Sequence, residues 1–114
     1  MLDLTETQEA TLDALGSPSR RQIVRLLAPG PLSVGEIASQ LPISRPAVSK
    51  HLKVLERADL VTHRSEGNRN LFRLDPTGFE AARHWLDAFW DDALMRLAAA
   101  AGNTSSDGQV QGSP

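Results

Sequence analysis

Ser44, Arg45, Pro46, Ser49, Lys50, His51 and Lys53 fall within ten consecutive residues, and Arg64, Asn68 and Arg69 follow within the next sixteen. Hydroxyls, an imidazole and cations at this density could serve two kinds of chemistry. Catalysis is the weaker reading, because His51 beside Ser49 has no acid to orient it, and the chain carries no nucleotide loop or metal-hydrolase spacing. Recognition fits better. Ser44, Arg45, Ser49 and Lys50, at the start of a helix, can bond base edges in a duplex groove, while Arg64 and Arg69 neutralise phosphates. A lone Lys-x-x-Lys pair is usually solvated surface, so the reading depends on how the surrounding elements present these groups.

The sequence predicts two short helices joined by a tight turn across Leu32–Leu60. Ser33 stands three residues before Glu36, the capping-box pattern that satisfies two otherwise orphaned backbone donors. The helix it opens buries Ile37 and Leu41 and is expected to run to Leu41, where Pro42 stops it. Ser44 then suits an N-cap, and Pro46 is harmless in a first turn whose amides have no partner inside the helix. At about 100° per residue, Val48, Leu52 and Leu55 share one stripe. Pro46, Lys50, Lys53 and Arg57 lie nearly opposite, with Ser49 at the edge and His51 between the faces. A helix packed on one face and basic on the other, propped by a preceding helix, suits the DNA major groove.

Charge divides along the chain in the same sense. Met1–Gly16 holds four acids and no Lys or Arg, a charge of −4. Ser17–Arg73 holds ten Lys or Arg against four acids, giving +6, and Leu74–Pro114 holds two against six, giving −4. The formal total of −2 therefore hides a basic middle segment, and phosphate binding follows the local cationic face rather than the total. With 114 residues, 40% of them hydrophobic, one core is expected. The absence of cysteine removes disulfides, thiolate metal sites and thiol redox sensing. An acidic start and no membrane-length apolar run lead to the expectation of a cytoplasmic protein with no membrane partner.

Outside the central stretch, apolar residues including Leu12 and Leu15 build a first helix ending at Gly16, and Ser17-Pro18 opens a second that buries Ile23, Val24, Leu26 and Leu27. Arg20, Arg21 and Arg25 on that helix are read as surface charge. Pro29-Gly30-Pro31 is a rigid connector. After Leu60 two β-prone runs flank Ser65–Arg69 around a Gly-Asn turn, a hairpin whose Val61, Leu71 and Leu74 would cover the core while Arg64 and Arg69 project near its tip. Asp75-Pro76 opens a last helix expected to reach about Ala100. Its stripe of Phe79, Ala82, Leu86, Phe89, Trp90, Ala93 and Leu97 carries more apolar surface than the hairpin can cover. Pairing with a second copy is the expected outcome, with Leu12, Leu15, Phe79, Leu86, Phe89, Trp90, Ala93 and Leu97 in the interface; intrachain packing and a ligand pocket are the alternatives. Residues 1–101 form the expected domain and 102–114, rich in Gly, Ser, Asn and Gln, a flexible tail.

The fold class is thus mainly α with a small β-hairpin wing, a winged helix-turn-helix in the order α-α-α-α-β-β-α. ALGSPSRRQIVRLL at Ala14–Leu27, LSVGEIASQL at Leu32–Leu41 and SRPAVSKHLKVLERADLV at Ser44–Val61 resemble the ArsR/SmtB family of winged-helix repressors. The resemblance extends to about Leu97. It implies a homodimer joined through the first and last helices, each protomer reading one half of an inverted repeat, often upstream of its own operon. Metal-sensing members place cysteines in the helix occupied here by Glu36–Leu41, and Asp, His, His and Glu where this chain has Pro76, Gly78, Phe89 and Asp92. His84, Asp87 and Asp91 share a polar helical face that more often stays solvated. The resemblance is to the metal-independent branch, with no cofactor; the sequence does not say whether an effector exists or what it is. Double-stranded DNA is the expected partner. A winged-helix protein-interaction module without specific DNA binding is the alternative.

Overall fold

The computed structural model describes residues 4–104. The elements are α1 (Leu4–Ala14), α2 (Pro18–Leu27), β1 (Leu32–Ser33), α3 (Val34–Ala38), α4 (Arg45–Arg57), β2 (Val61–Glu66), β3 (Arg69–Leu74) and α5 (Pro76–Thr104). The helical domain with a β wing is as the sequence predicts, with one added strand. Leu32 and Ser33 pair antiparallel with Phe72 and Leu71, so the hairpin is the larger part of a three-stranded sheet ordered β1-β3-β2. Two residues are too few for an alternation pattern, and the pairing exists only because the connector after α2 runs alongside β3.

Caps set the helix starts. Ser17 accepts from the Arg20 amide and Pro18 follows it into the first turn of α2. Ser33 and Glu36 form the expected capping box on α3, and Ser44 accepts from the Ala47 amide to open α4. The end of α3 departs from expectation. It stops at Ala38, three residues before Leu41, because the Ser39 hydroxyl donates to the Glu36 carbonyl and the chain tightens into short-range bonds from Gln40 to Ile37 and Leu41 to Ala38. Ile37 is buried as expected; Leu41 is only partly so.

The core gathers Ile23 and Leu27 from α2, Ile37 from α3, Val48, Leu52 and Leu55 from α4, then Leu60, Val61 and Phe72. Each such aliphatic side chain contributes roughly 1.5–3 kcal/mol by leaving water. In β3 the core-facing residue is Phe72 rather than the expected Leu71. Alternation places Phe72 with Leu74 on the core side, and Leu71 is buried on the other face, opposite Arg64 and Ser33.

The turn from α4 into β2 is closed by two backbone bonds, Asp59 to Glu56 and Leu60 to Leu55, with Asp59 left-handed at φ 59°. The start of α5 docks onto this turn. The Asp75 amide donates to the Leu60 carbonyl and the Gly78 amide to Asp59, so close that a Cβ on Gly78 would stand 2.5 Å from both the Ala58 and Asp59 oxygens. Phe79 and Ala82 then pack inward. Beyond them α5 runs alongside α1 and remains helical to Thr104, past the expected start of the tail at residue 102. The rest of that tail, 105–114, lies outside the described residues.

Candidate nucleic-acid interface

α4 is fixed from beneath by Val48, Leu52 and Leu55, all at most 1% exposed, and this fixes what its other side presents. Ser44, Arg45, Pro46, Lys50, Lys53 and Arg57 are exposed, Ser49 half so. Six residues, 39–44, separate α3 from α4, longer than the tight turn expected, since α3 ends early. The Ser44 oxygen is occupied by the Ala47 amide but its proton remains free to donate.

His51 is turned the other way. Its Nδ1 lies 3.5 Å from an Arg20 guanidinium nitrogen, and Arg20 also donates through Nε to the Ala14 carbonyl at 2.6 Å. Burial first, and the Arg20 charge second, hold the His51 pKa below its ordinary value, so the imidazole serves as a neutral acceptor toward Arg20. Arg21 donates to the Leu15 carbonyl at 2.9 Å. Two of the three α2 arginines thus bond the carbonyl end of α1, a use that surface charge alone does not suggest.

The wing carries Arg64, Asn68 and Arg69 at or beside a tight turn where Gly67 adopts φ 65°, the conformation glycine favours in a two-residue hairpin loop. All three side chains are exposed. They are not equally available. Arg64 pairs with Glu66 at 3.0 Å on its own strand, whereas Arg69 lies 3.9 Å from Glu36, at the limit of direct contact. The Glu36 carboxyl is held below its usual range chiefly by the Ser33 backbone amide, then the Ser33 hydroxyl, with Arg69 adding least.

A second tie joins the wing to α4. His63 Nδ1 stands 2.8 Å from a Glu56 carboxylate oxygen, and its ring tilts against Phe72 with centroids 5.0 Å apart. Neither residue was singled out in the sequence. The only signal is that His63 alternates with Val61 onto the core side of β2; its meeting with Glu56 depends on the path of the α4–β2 turn. Among the described residues no group of three or more His, Asp or Glu side chains could hold a metal ion. Asp87 faces Arg83 at 3.9 Å rather than a ligand set. No helix among the described residues is long and apolar enough to cross a membrane.

The residues expected at a dimer interface divide into two groups. Leu15 and Phe79 pack against the chain's own core, and Leu12 and Ala93 are half-buried. Leu86, Phe89, Trp90 and Leu97 are 50%, 52%, 60% and 65% exposed along one side of α5, with Leu94 beside them at 42%.

Comparison with known proteins agrees with this architecture. A helix-turn-helix domain family matches residues 15–64. The chain is 56% identical over 85 residues to the HTH-type transcriptional regulator Rv2034 of Mycobacterium tuberculosis, covering 75% of this chain and 79% of that protein. It is 32% identical over 73 residues to the transcriptional repressor SdpR of Bacillus subtilis, covering 64% and 81%. Among solved structures, the homodimeric winged helix-turn-helix DNA-binding domain of a possible ArsR-family regulator from Mycobacterium bovis superposes with a TM-score of 0.62 at 27% identity, covering 96% of this chain and 91% of that one. With the core, the basic face of α4 and the wing in the same order, the chain belongs to the ArsR family of winged helix-turn-helix transcriptional regulators.

Proposed function

We propose that the chain is a homodimeric repressor that binds an inverted-repeat operator, one α4 in each of two successive major grooves. The observation that carries the reading is the division of α4. Its buried stripe leaves no freedom to rotate, so Ser49, Lys50 and Lys53 are presented together on the side away from the core. Ser49 and Lys50 read base edges; Lys53 and the wing cations meet phosphates. The uncovered apolar side of α5 supports pairing. Two-fold pairing sets the two recognition helices apart, and half-sites recur at about 34 Å, one turn of duplex. The homodimeric Mycobacterium bovis domain supports the assembly, and the Bacillus subtilis repressor supports the direction of regulation.

Gel retardation with duplex from upstream of the gene tests this. Retardation competed by the specific duplex but not by random duplex is the expected result. Binding that random duplex competes equally, or no binding, would favour a protein-interaction module.

A further inference from the structure

Arg45 does not extend outward from the first turn of α4. Its guanidinium occupies the space beside Gly35 on α3, where a Cβ built on Gly35 would meet Arg45 Nη2 at 2.7 Å, Cζ at 3.1 Å and Nε at 3.6 Å. Arg69 approaches the same place from beside the wing turn. Between them is a cleft of about 350 Å³ lined by Ser33, Val34, Gly35, Arg45, Arg69 and Asn70. No hydrogen bond or ion pair within the described residues uses the Arg45 guanidinium. Among the described residues Arg69 has only the 3.9 Å contact to Glu36, whose same Oε1 already accepts from the Ser33 amide at 2.8 Å. Two planar cations therefore border one polar cleft with nearly all their donors unspent, and that is the donor set a phosphodiester takes.

Resting on the DNA-binding reading above, we propose that this cleft seats one backbone phosphate of the bound duplex, gripped by Arg45 and Arg69, and that Gly35 is the positioning residue that lets Arg45 lie there. Arg45 is then a phosphate clamp rather than a base-reading residue, a role its place at the start of the recognition helix does not suggest. Glu36 keeps Arg69 turned to the cleft before DNA arrives. The contact is exposed and long, so a phosphate that reaches both guanidinium groups displaces it readily.

The test is a double-mutant cycle on the full chain with Gly35→Ala, Arg45→Ala and both together. Affinity for operator and for random duplex is measured across a range of salt, with thermal unfolding and sedimentation as controls. Arg45 is exposed and alanine is the better helix former at position 35, so folding and assembly should be kept. Each phosphate neutralised contributes about 0.9 to the slope of log affinity against log salt, so Arg45→Ala should flatten the slope by roughly two for a dimer, with the same fold-loss on both duplexes. Gly35→Ala should reproduce most of that loss, and the double variant should be no weaker than Arg45→Ala alone. Losses that add in the double variant would show that a Cβ at position 35 acts on DNA directly and would overturn the positioning role. An unchanged slope with loss confined to the operator would make Arg45 a base reader and overturn the seat. The slope on random duplex judges the seat even if no operator preference is found, so failure of sequence-specific binding would be seen separately.

Discussion

Replacing Trp90 by alanine should dissociate the dimer, and the size of the effect follows from its exposure. An indole presents up to roughly 250 Å², and Trp90 is 60% exposed in the single chain. About 150 Å² of apolar surface per protomer is therefore open to burial by a second copy. At roughly 25 cal/mol per Å², full coverage is worth about 4 kcal/mol per protomer and about 7–8 for the pair. Half coverage would leave about 4 kcal/mol, nearly a thousandfold in the dimer dissociation constant. Alanine introduces no new charge and keeps helix propensity, so the loss belongs to the contact. Sedimentation equilibrium over a dilution series should show the variant largely monomeric where the parent chain is dimeric. Operator affinity should fall with it, since each monomer reaches one half-site. A variant with an unchanged dimer constant would refute pairing through this side of α5.

Lys50→Ala should cost about 1–3 kcal/mol on operator DNA and much less on random duplex, measured by competition binding; equal losses would place Lys50 on the backbone. Gly78→Ala should destabilise the fold by about 3 kcal/mol, because the new Cβ meets two backbone oxygens at 2.5 Å that cannot move cheaply, and the small gain in helix propensity does not offset this. Thermal unfolding checks it, and an unchanged or raised Tm would refute the close docking of α5. His51 is held below its ordinary pKa of 6.5 by burial first and by Arg20 second, so the unfolded chain takes up its proton more readily. Its share of stability is complete above pH 6.5 and is lost as pH falls below that value toward the depressed folded pKa. Urea unfolding on either side of pH 6.5 should show this fall in the parent chain and less of it in His51→Gln; identical profiles would remove His51 from the balance.

The capped helix starts at Ser17, Ser33 and Ser44 were legible in the sequence because a cap is satisfied within three residues of itself. The opposed faces of α4 were legible for the same kind of reason. Once Val48, Leu52 and Leu55 pack, helical geometry alone decides where Lys50 and Lys53 stand. The apolar side of α5 could be read from its period, but not which turns the chain covers itself. Phe79 and Ala82 go inward while Phe89 and Trp90 stay out, because the core ends where α5 leaves the α4–β2 turn.

Other features required the tertiary structure. β1 has two residues and no pattern of its own, and its register against Phe72 and Leu71 arises from where the connector is laid. The choice of Phe72 over Leu71 for the core is a one-residue matter of strand phase that two adjacent apolar residues leave open. Arg20 with His51, Glu56 with His63, and Arg45 over Gly35 are contacts between elements. Their partners are set by the rotation of one helix against another and by the turn at Asp59, quantities no local spacing encodes. Local hydrogen bonding and side-chain periodicity determined the elements and the basic face, and the packing of those elements decided which cations are tied to the chain's own carbonyls and carboxylates.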